Sequence, residues 1–165
     1  MKSVLISIRP KWCEKIASGD CNILVKKSAP KEVPFKAYIY ETKESKMRYL
    51  NDRFNSFLNN KSHYTDMGKV IGEFICDRIE MVNAKCSDYG IDLFYHDCLT
   101  NGCLTEREIE KYFNIPEDKD LRVMKGNGYA WHISDLKIYD KPLSLSELGV
   151  TRPPQSYMFV EEVEQ

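Results

Sequence analysis

Residues 69–82 constrain the fold more than any other segment, because apolar side chains occupy both of its faces. The two alternating sets are Val70, Phe74 and Cys76 on one face and Ile71, Ile75 and Ile79 on the other. A strand that is covered on both faces lies in the interior of a sheet rather than at its edge. The pattern therefore predicts one long central strand, in which Gly72 marks a bend or a close approach of another backbone.

The first twenty residues predict a strand, a short helix and a turn. Val4, Ile6 and Ile8 share one face of the strand, which is typical of a strand with one deeply buried side. Pro10 ends this strand and suits the first turn of a helix, and Gly19 closes the helix.

The remaining segments predict further strands and short helices. Alternating apolar residues predict strands over 21–27, 35–41, 129–139 and 157–163, with a bulge at residues 134–135. Helical spacing of apolar residues predicts a helix over 47–58. Two capping boxes, Thr105 with Glu108 and Ser144 with Glu147, predict a helix that extends to Phe113 and a short helical turn.

Short strands without a regular strand–helix alternation predict an α+β fold. The expected architecture is a small mixed, mostly antiparallel β-barrel with short peripheral helices. A chain of 165 residues suits one compact core, so we expect a single domain over residues 1–165.

The charge of the chain is balanced overall but not along its length. The sequence holds 24 Lys and Arg against 25 Asp and Glu, and its net charge is −1. This balance argues against a protein that coats nucleic acid without specificity, because such binding depends on many neutralised phosphates. Residues 1–49, however, hold eleven Lys and Arg against five Asp and Glu, a net charge of +6 that permits a local anionic ligand.

Cysteine spacing and hydropathy indicate the compartment. The six cysteines form no C-x-x-C pair and no disulfide-scaffold spacing, which favours a reducing environment. No apolar run approaches the roughly 18 residues of a membrane helix, and no signal-peptide pattern follows Met1. We therefore expect a cytoplasmic protein without a membrane partner. The histidine and cysteine spacings match no standard zinc site, so we predict no metal and no cofactor.

Five short segments carry a resemblance to a known family. They are Ile-Arg-Pro-Lys-Trp at 8–12, Lys-Ile-Ala-Ser-Gly-Asp at 15–20, Lys-Val-Ile-Gly-Glu-Phe at 69–74, Tyr-Ala-Trp-His-Ile-Ser at 129–134 and Arg-Pro-Pro-Gln-Ser at 152–156. Together they resemble the ASCH domain family, a branch of the PUA-like β-barrel superfamily, with insertions at about 42–67 and 83–127. The resemblance implies a cleft between the first helix and the strands around it, where PUA-like relatives hold RNA or a modified base.

Basic residues near the implied cleft are candidates for phosphate contact. Arg9, Lys11 and Lys26 belong to one predicted strand–helix–strand unit. Contacts of this kind position a nucleic acid without reading its sequence. A solvated basic face is the alternative interpretation.

Aromatic and acidic residues are candidates for contact with a base. Tyr129 and Trp131 are predicted to form a stacking wall. Glu73 is predicted to accept a hydrogen bond from the base, and His132 is placed in the same binding set. Core packing is the alternative for these rings, and it is the reading that we favour for Trp12.

The resemblance also implies a catalytic alternative. One ASCH branch is an amidohydrolase acting on N4-acetylcytidine, which uses a Lys and a Thr after the glycine turn and a Glu on the central strand. Cys21 and Leu24 occupy the Lys and Thr positions here, and Glu73 matches the Glu. Cys21 is then either a thiolate nucleophile or a buried structural thiol.

These patterns predict a binding module for RNA, a nucleotide or a modified base. An amidohydrolase of acylated nucleosides, with Glu73 and Cys21 as candidate catalytic residues, is the first alternative. A regulatory protein-interaction module that uses residues 42–67 and 83–127 is the second, because their mixed apolar and charged composition permits a contact surface.

Overall fold

A computed structural model of the protein describes residues 1–43, 67–87, 90–93, 101–113 and 125–163. The strands in these ranges are β1 (Ser3–Ile8), β2 (Ile23–Lys26), β3 (Phe35–Glu41), β4 (Val70–Cys76), β5 (Ile79–Ser87), β6 (Gly90–Leu93), β7 (Lys125–His132), β8 (Ser134–Leu143) and β9 (Tyr157–Val160). The helices are α1 (Pro10–Ala17), α2 (Glu106–Phe113) and a 3₁₀-helix (Leu145–Leu148).

The strands pair in two sheets. One has the order β8-β4-β3-β1-β9 and the other the order β2-β7-β5-β6. β1 runs parallel to β3, whereas the other pairs are antiparallel. These sheets and helices confirm the α+β class. Neither sheet closes on itself in the described part of the chain, so the barrel stays a prediction.

β1 is buried on both faces rather than on one. Val4 and Ile6 belong to the larger core cluster, and Leu5 belongs to a second cluster on the other face. The expectation of a single buried side was therefore wrong. The reason is that a separate core cluster packs against each face of β1, while β3 and β9 pair with its two edges.

Residues 69–82 form two strands in different sheets, which corrects the prediction of one long strand. Asp77 and Arg78 separate β4 from β5. The segment 129–139 divides in the same way, because β7 and β8 are separated by Ile133 and also belong to different sheets. The two points at which the chain passes from one sheet to the other lie side by side. The backbone NH of His132 donates a hydrogen bond to the carbonyl oxygen of Arg78 at 3.0 Å.

Gly72 permits a close approach of two backbones, as predicted. A Cβ atom at this position would collide with the backbone carbonyl oxygen of Lys137 on the neighbouring strand β8. A side chain here would therefore push β8 away from β4.

The helices begin as their local sequences predict. Pro10 is the first residue of α1. Thr105 and Glu108 form the capping box of α2, and Ser144 and Glu147 form that of the 3₁₀-helix. The helix predicted over 47–58 lies outside the described residues. Among the helices that are described, none has the length and apolar character needed to cross a membrane.

Candidate ligand-binding site

A cavity of about 790 Å³ lies beside α1, at the position where the resemblance implies a cleft. Its walls come from the end of β1, the start of α1, β2, α2 and residues 155–156 before β9. Among the described residues, its cationic side chains are those of Arg9, Lys26, Lys27 and Lys111, and its one carboxylate is that of Glu108. The cavity therefore presents an excess of positive charge to a ligand.

Lys26 connects the two sheets at the edge of this cavity. It ends β2, and its Nζ donates a hydrogen bond to the backbone oxygen of Ser7 on β1 at 3.2 Å. Burial lowers the pKa of the Lys26 ammonium from 10.5 to about 8, while the nearby Cys13 acts in the opposite direction. Lys26 therefore holds its proton less tightly than an ordinary lysine does.

Two aromatic side chains, Trp12 and Tyr112, line the cavity together with the cations. The Nζ atoms of Lys11 and Lys15 each lie 4.9 Å from the ring centroid of Trp12. The Nζ of Lys27 lies 5.3 Å from the ring centroid of Tyr112. These distances are within the range of cation–π attraction, so Tyr112 helps to hold Lys27 at the wall, whereas the two lysines beside Trp12 lie outside it.

The position of α2 depends on Glu108, which bonds to its own helix start and to α1. Glu108 Oε2 accepts from the backbone NH of Thr105 at 3.0 Å, and the backbone NH of Glu108 donates to Thr105 Oγ1 at 3.2 Å. Lys11 Nζ donates to Glu108 Oε1 at 2.7 Å. Although burial opposes it, this set of hydrogen bonds lowers the pKa of Glu108. Lys11, predicted to bind phosphate, therefore pairs with Glu108 instead of lining the cavity.

Cys21 lines the cavity as a buried thiol. Its side chain donates to the backbone oxygen of Ile23 at 3.2 Å, and only 2% of the residue is exposed. Burial raises the pKa of the Cys21 thiol to about 11, and the weaker opposing effect of Lys15 does not reverse this. Because the thiol is protonated at neutral pH, the structural interpretation of Cys21 is favoured over the nucleophilic one.

Trp131 belongs to the core, which corrects its predicted role as a stacking wall. The residue is 0% exposed, and its ring lies edge-on to Phe35 and Tyr157 at centroid distances of 5.1 and 5.4 Å. A ring enclosed by other side chains has no face for a base. Tyr129 is half-buried, packs against the same core cluster and is absent from the cavity wall.

Glu73 and His132 lie away from the cavity. Glu73 accepts a hydrogen bond from Tyr139 Oη at 2.6 Å, and its other oxygen lies 3.8 Å from Lys36 Nζ. His132 Nδ1 lies 3.0 Å from an Arg78 side-chain nitrogen, near the crossing between the sheets. The predicted set is therefore divided: Arg9, Lys26 and Cys21 meet at one cavity, whereas Glu73 and His132 belong to other networks. Cys21 and Glu73, the two candidate catalytic residues, do not line one common cavity.

Sequence reasoning missed the contribution of α2. Glu108, Lys111 and Tyr112 have spacings of three and four residues, which place them on one helix face. That spacing is a signal in the sequence. The spacing alone could not place these residues at the site, because the packing of α2 beside α1 is not determined by the local sequence.

A second, more open depression of about 950 Å³ adjoins the first. Ser7 and Thr42 line both. Among the described residues that line the second depression, Lys43 carries the only charge, and the others are small, hydroxyl-bearing or apolar. The cavity beside α1 is therefore the stronger candidate for a polar ligand.

The two sheets and the helices beside them have the fold of ASCH domains. The structure of the ASCH protein from Zymomonas mobilis matches the chain with a TM-score of 0.63, at 17% sequence identity, over 98% of this chain and 89% of that one. A tyrosine-to-phenylalanine variant of that protein gives a TM-score of 0.61 at 16% identity, over 98% and 92% of the two chains. Its serine-to-alanine variant gives 0.62 at 16% identity, over 98% and 89%.

These likenesses confirm an ASCH-type fold, whereas the closed barrel stays a prediction. At 16–17% identity they are likenesses of fold alone. No family model matches the chain, and no curated protein matches it.

Proposed function

We propose that the protein is an ASCH-type binding module whose cavity beside α1 holds a nucleotide, either free or within RNA, in the cytoplasm. The observation that carries the proposal is the cavity wall itself. Four cationic side chains and two aromatic rings line one concave space among the described residues. Nucleotides combine a phosphate, which attracts cations, with a planar base, which packs against aromatic rings.

In this proposal different residues of the wall contact different parts of the ligand. Arg9 and Lys26 engage the phosphate, as the sequence predicted. Trp12 and Tyr112 replace Tyr129 and Trp131 as the aromatic contacts, because they are the rings that line the cavity. Base–aromatic contacts of this kind contribute about 1–3 kcal/mol each.

The proposal is tested by calorimetric titration with AMP, adenosine and a short single-stranded RNA at several salt concentrations. We expect AMP to bind more tightly than adenosine, and its affinity to fall as salt rises. Arg9→Ala should weaken AMP binding and reduce the salt slope by about 1. Lys31→Ala is the matched control, since Lys31 is exposed and lies outside the cavity wall.

Three results would contradict the phosphate contact. They are equal affinity for adenosine and AMP, an affinity that ignores salt, and equal behaviour of Arg9→Ala and Lys31→Ala. Fluorescence provides a second readout, because Trp12 lines the cavity while Trp131 is buried. Ligand-induced change in tryptophan emission should disappear in Trp12→Phe.

A further inference from the structure

We infer that Lys26 is a covalent attachment site, whose amine condenses with the aldehyde group of a phosphorylated aromatic compound held in the cavity. This inference goes beyond nucleotide binding and does not require it. It assigns chemistry to a residue that the proposed function uses only for its charge.

The placement of Lys26 suits such a reaction. The residue lines the cavity, and its Nζ bonds to the backbone oxygen of Ser7 at 3.2 Å. Among the described residues, no carboxylate forms an ion pair with it. An amine that bonds to a neutral carbonyl is more easily freed for attack than one held by a carboxylate.

The surroundings of Lys26 favour its neutral, nucleophilic form. Lys26 is half-buried at the cavity wall, and burial opposes a positive charge, whereas the nearby Cys13 acts in the opposite direction. Consistent with this geometry, burial lowers the pKa of Lys26 to about 8. Lysines in such surroundings form imines with carbonyl compounds more readily than exposed lysines do.

The other wall residues define the chemical class of the ligand. The exposed cations Arg9, Lys27 and Lys111 suit a phosphate, and the rings of Trp12 and Tyr112 suit a planar aromatic body. An aromatic aldehyde that carries a phosphate presents both groups together with an electrophilic carbon. Binding of the phosphate would hold that carbon near the amine.

The reaction requires no oxidant or reductant. Lys26 first loses one proton to solvent. The nitrogen lone pair then attacks the carbonyl carbon, a C–N bond forms as the carbonyl π bond breaks, and one proton passes from the nitrogen to the oxygen. The second amine proton leaves with that hydroxyl group as water, and the C=N bond of the imine forms, so one water molecule is released for each ligand attached.

Pyridoxal 5′-phosphate is a suitable probe. The intact protein is incubated with it, the imine is reduced with borohydride, and the labelled peptide is identified by mass spectrometry. We expect the label on Lys26 in preference to the more exposed lysines. Pyridoxal without its phosphate should label Lys26 about tenfold less, because the anionic anchor is missing.

Lys26→Arg and Lys27→Arg form a matched pair of variants, since both preserve the positive charge and both positions line the cavity. We expect Lys26→Arg to lose most of the label and Lys27→Arg to keep it. Labelling that follows surface exposure, or that prefers Lys27, would overturn the inference. If Lys26→Arg does not fold, peptide mapping of the unsubstituted protein decides the question alone.

A competition arm separates this inference from the proposed function. AMP in excess should protect Lys26 if both ligands use the cavity. Label on Lys26 without protection by AMP would support the attachment site and count against nucleotide binding. Binding of AMP in the calorimetric titration, together with no specific label on Lys26 in the absence of AMP, would do the reverse.

Discussion

The two tryptophans of the chain occupy opposite environments. Trp131 is fully enclosed, with edge contacts to Phe35 and Tyr157. Trp12 is half-buried at the cavity wall, with the ammonium groups of Lys11 and Lys15 beside its ring. One residue type therefore stabilises the core at one position and shapes the candidate site at the other.

Substitution by alanine should separate these two roles. Trp131→Ala is expected to lower the free energy of unfolding by about 3–5 kcal/mol, because it leaves a large cavity in the core. Trp12→Ala should lower it less, since part of its surface is already exposed. Urea denaturation of both variants measures the difference, and equal losses would contradict the assignment.

The roles of the two tryptophans could not be assigned from the sequence. The pattern around Trp131 showed correctly that it lies on a strand, but both faces of that strand contain apolar residues. The helix face of Trp12 indicated core packing, and Trp12 does pack against the larger core cluster, but it also lines the cavity. In both cases the missing information was the identity of the opposite element, which is a long-range property.

Lys26 should make stability depend on pH. Its pKa is about 8 in the folded protein and 10.5 ordinarily, so the unfolded chain binds more protons between these values. The free energy of unfolding should therefore rise with pH in this window, as the penalty of burying the charge is relieved. The penalty is on the order of 1–3 kcal/mol.

A comparison with Lys26→Met measures this effect together with that of Cys13, whose pKa is raised by burial and lowered by Lys26. Buried thiols act in the opposite direction, because burial raises the pKa of Cys21 to about 11 and that of Cys76 to about 12. Both proteins share this contribution, so it cancels in the difference. We expect the variant to be more stable than the parent at pH 7, with an advantage that shrinks towards pH 10.5. An advantage that is constant over this range would contradict the prediction.

At the scale of elements, α2 links the cavity wall to α1. The capping box of Thr105 and Glu108 fixes the start of α2, and Lys11 ties the same carboxylate to α1. Lys111 and Tyr112, which line the cavity, lie one turn further along the helix. The positions of Lys111 and Tyr112 in the cavity wall thus depend on the helix cap, even if the cap makes no contact with the ligand.

Thr105→Ala tests this dependence. Loss of the cap should lower the free energy of unfolding by about 0.5–2 kcal/mol and also weaken ligand binding, because the start of α2 frays. Ser144→Ala removes the equivalent cap from the 3₁₀-helix, whose residues lie outside the wall beside α1. It should reduce stability without changing binding. Thermal unfolding and AMP titration check both effects, and identical binding by the two variants would refute the link.

Elements were easier to predict than their connections. The strand over Phe35–Glu41 and the helices that begin near Pro10 and Thr105 follow from alternation, a proline and a capping box. Those signals are local. The transfer of the chain between sheets at Asp77 and Arg78 was missed, because apolar residues continue on both sides of this polar pair.

At the scale of the whole molecule, a polar network attaches the last described segment to the five-stranded sheet. Lys36 Nζ lies 2.7 Å from Glu162 and 3.8 Å from Glu73, and Tyr139 donates to Glu73 at 2.6 Å. The backbone NH of Val163 donates to Tyr38 Oη at 3.0 Å. The contacts of Glu73 with Tyr139 and Lys36 therefore explain its partial burial without a ligand.

Glu73→Gln should accordingly affect stability and not binding. Removing the charge weakens the bond from Tyr139 and the attraction to Lys36, so we expect a loss of about 1–3 kcal/mol in the free energy of unfolding. AMP affinity should match that of the parent. Denaturation and calorimetry on the same preparation decide the matter. Weaker binding with unchanged stability would return Glu73 to the candidate site.

The positive half of the candidate site was predictable and the rest was not. Arg9 and Lys26 follow from the basic bias of residues 1–49, because sequence neighbours on a strand–helix–strand unit stay close in space. The aromatic half comes partly from α2, whose approach to α1 is set by tertiary packing. The α+β class was predicted from the number of short strands, whereas their division into two sheets required the pairing itself.

The pairing of β1 has a consequence for synthesis on the ribosome. Ser3 pairs with Val160, so the first strand can pair with the last one only after almost the whole sequence has been synthesised. At about 5–20 residues per second, this delay lasts roughly 8–30 s. Throughout that time a nascent chain presents an apolar strand with an open edge, which is a template for aggregation. Chaperones that cover this edge during translation should therefore raise the soluble yield of this protein.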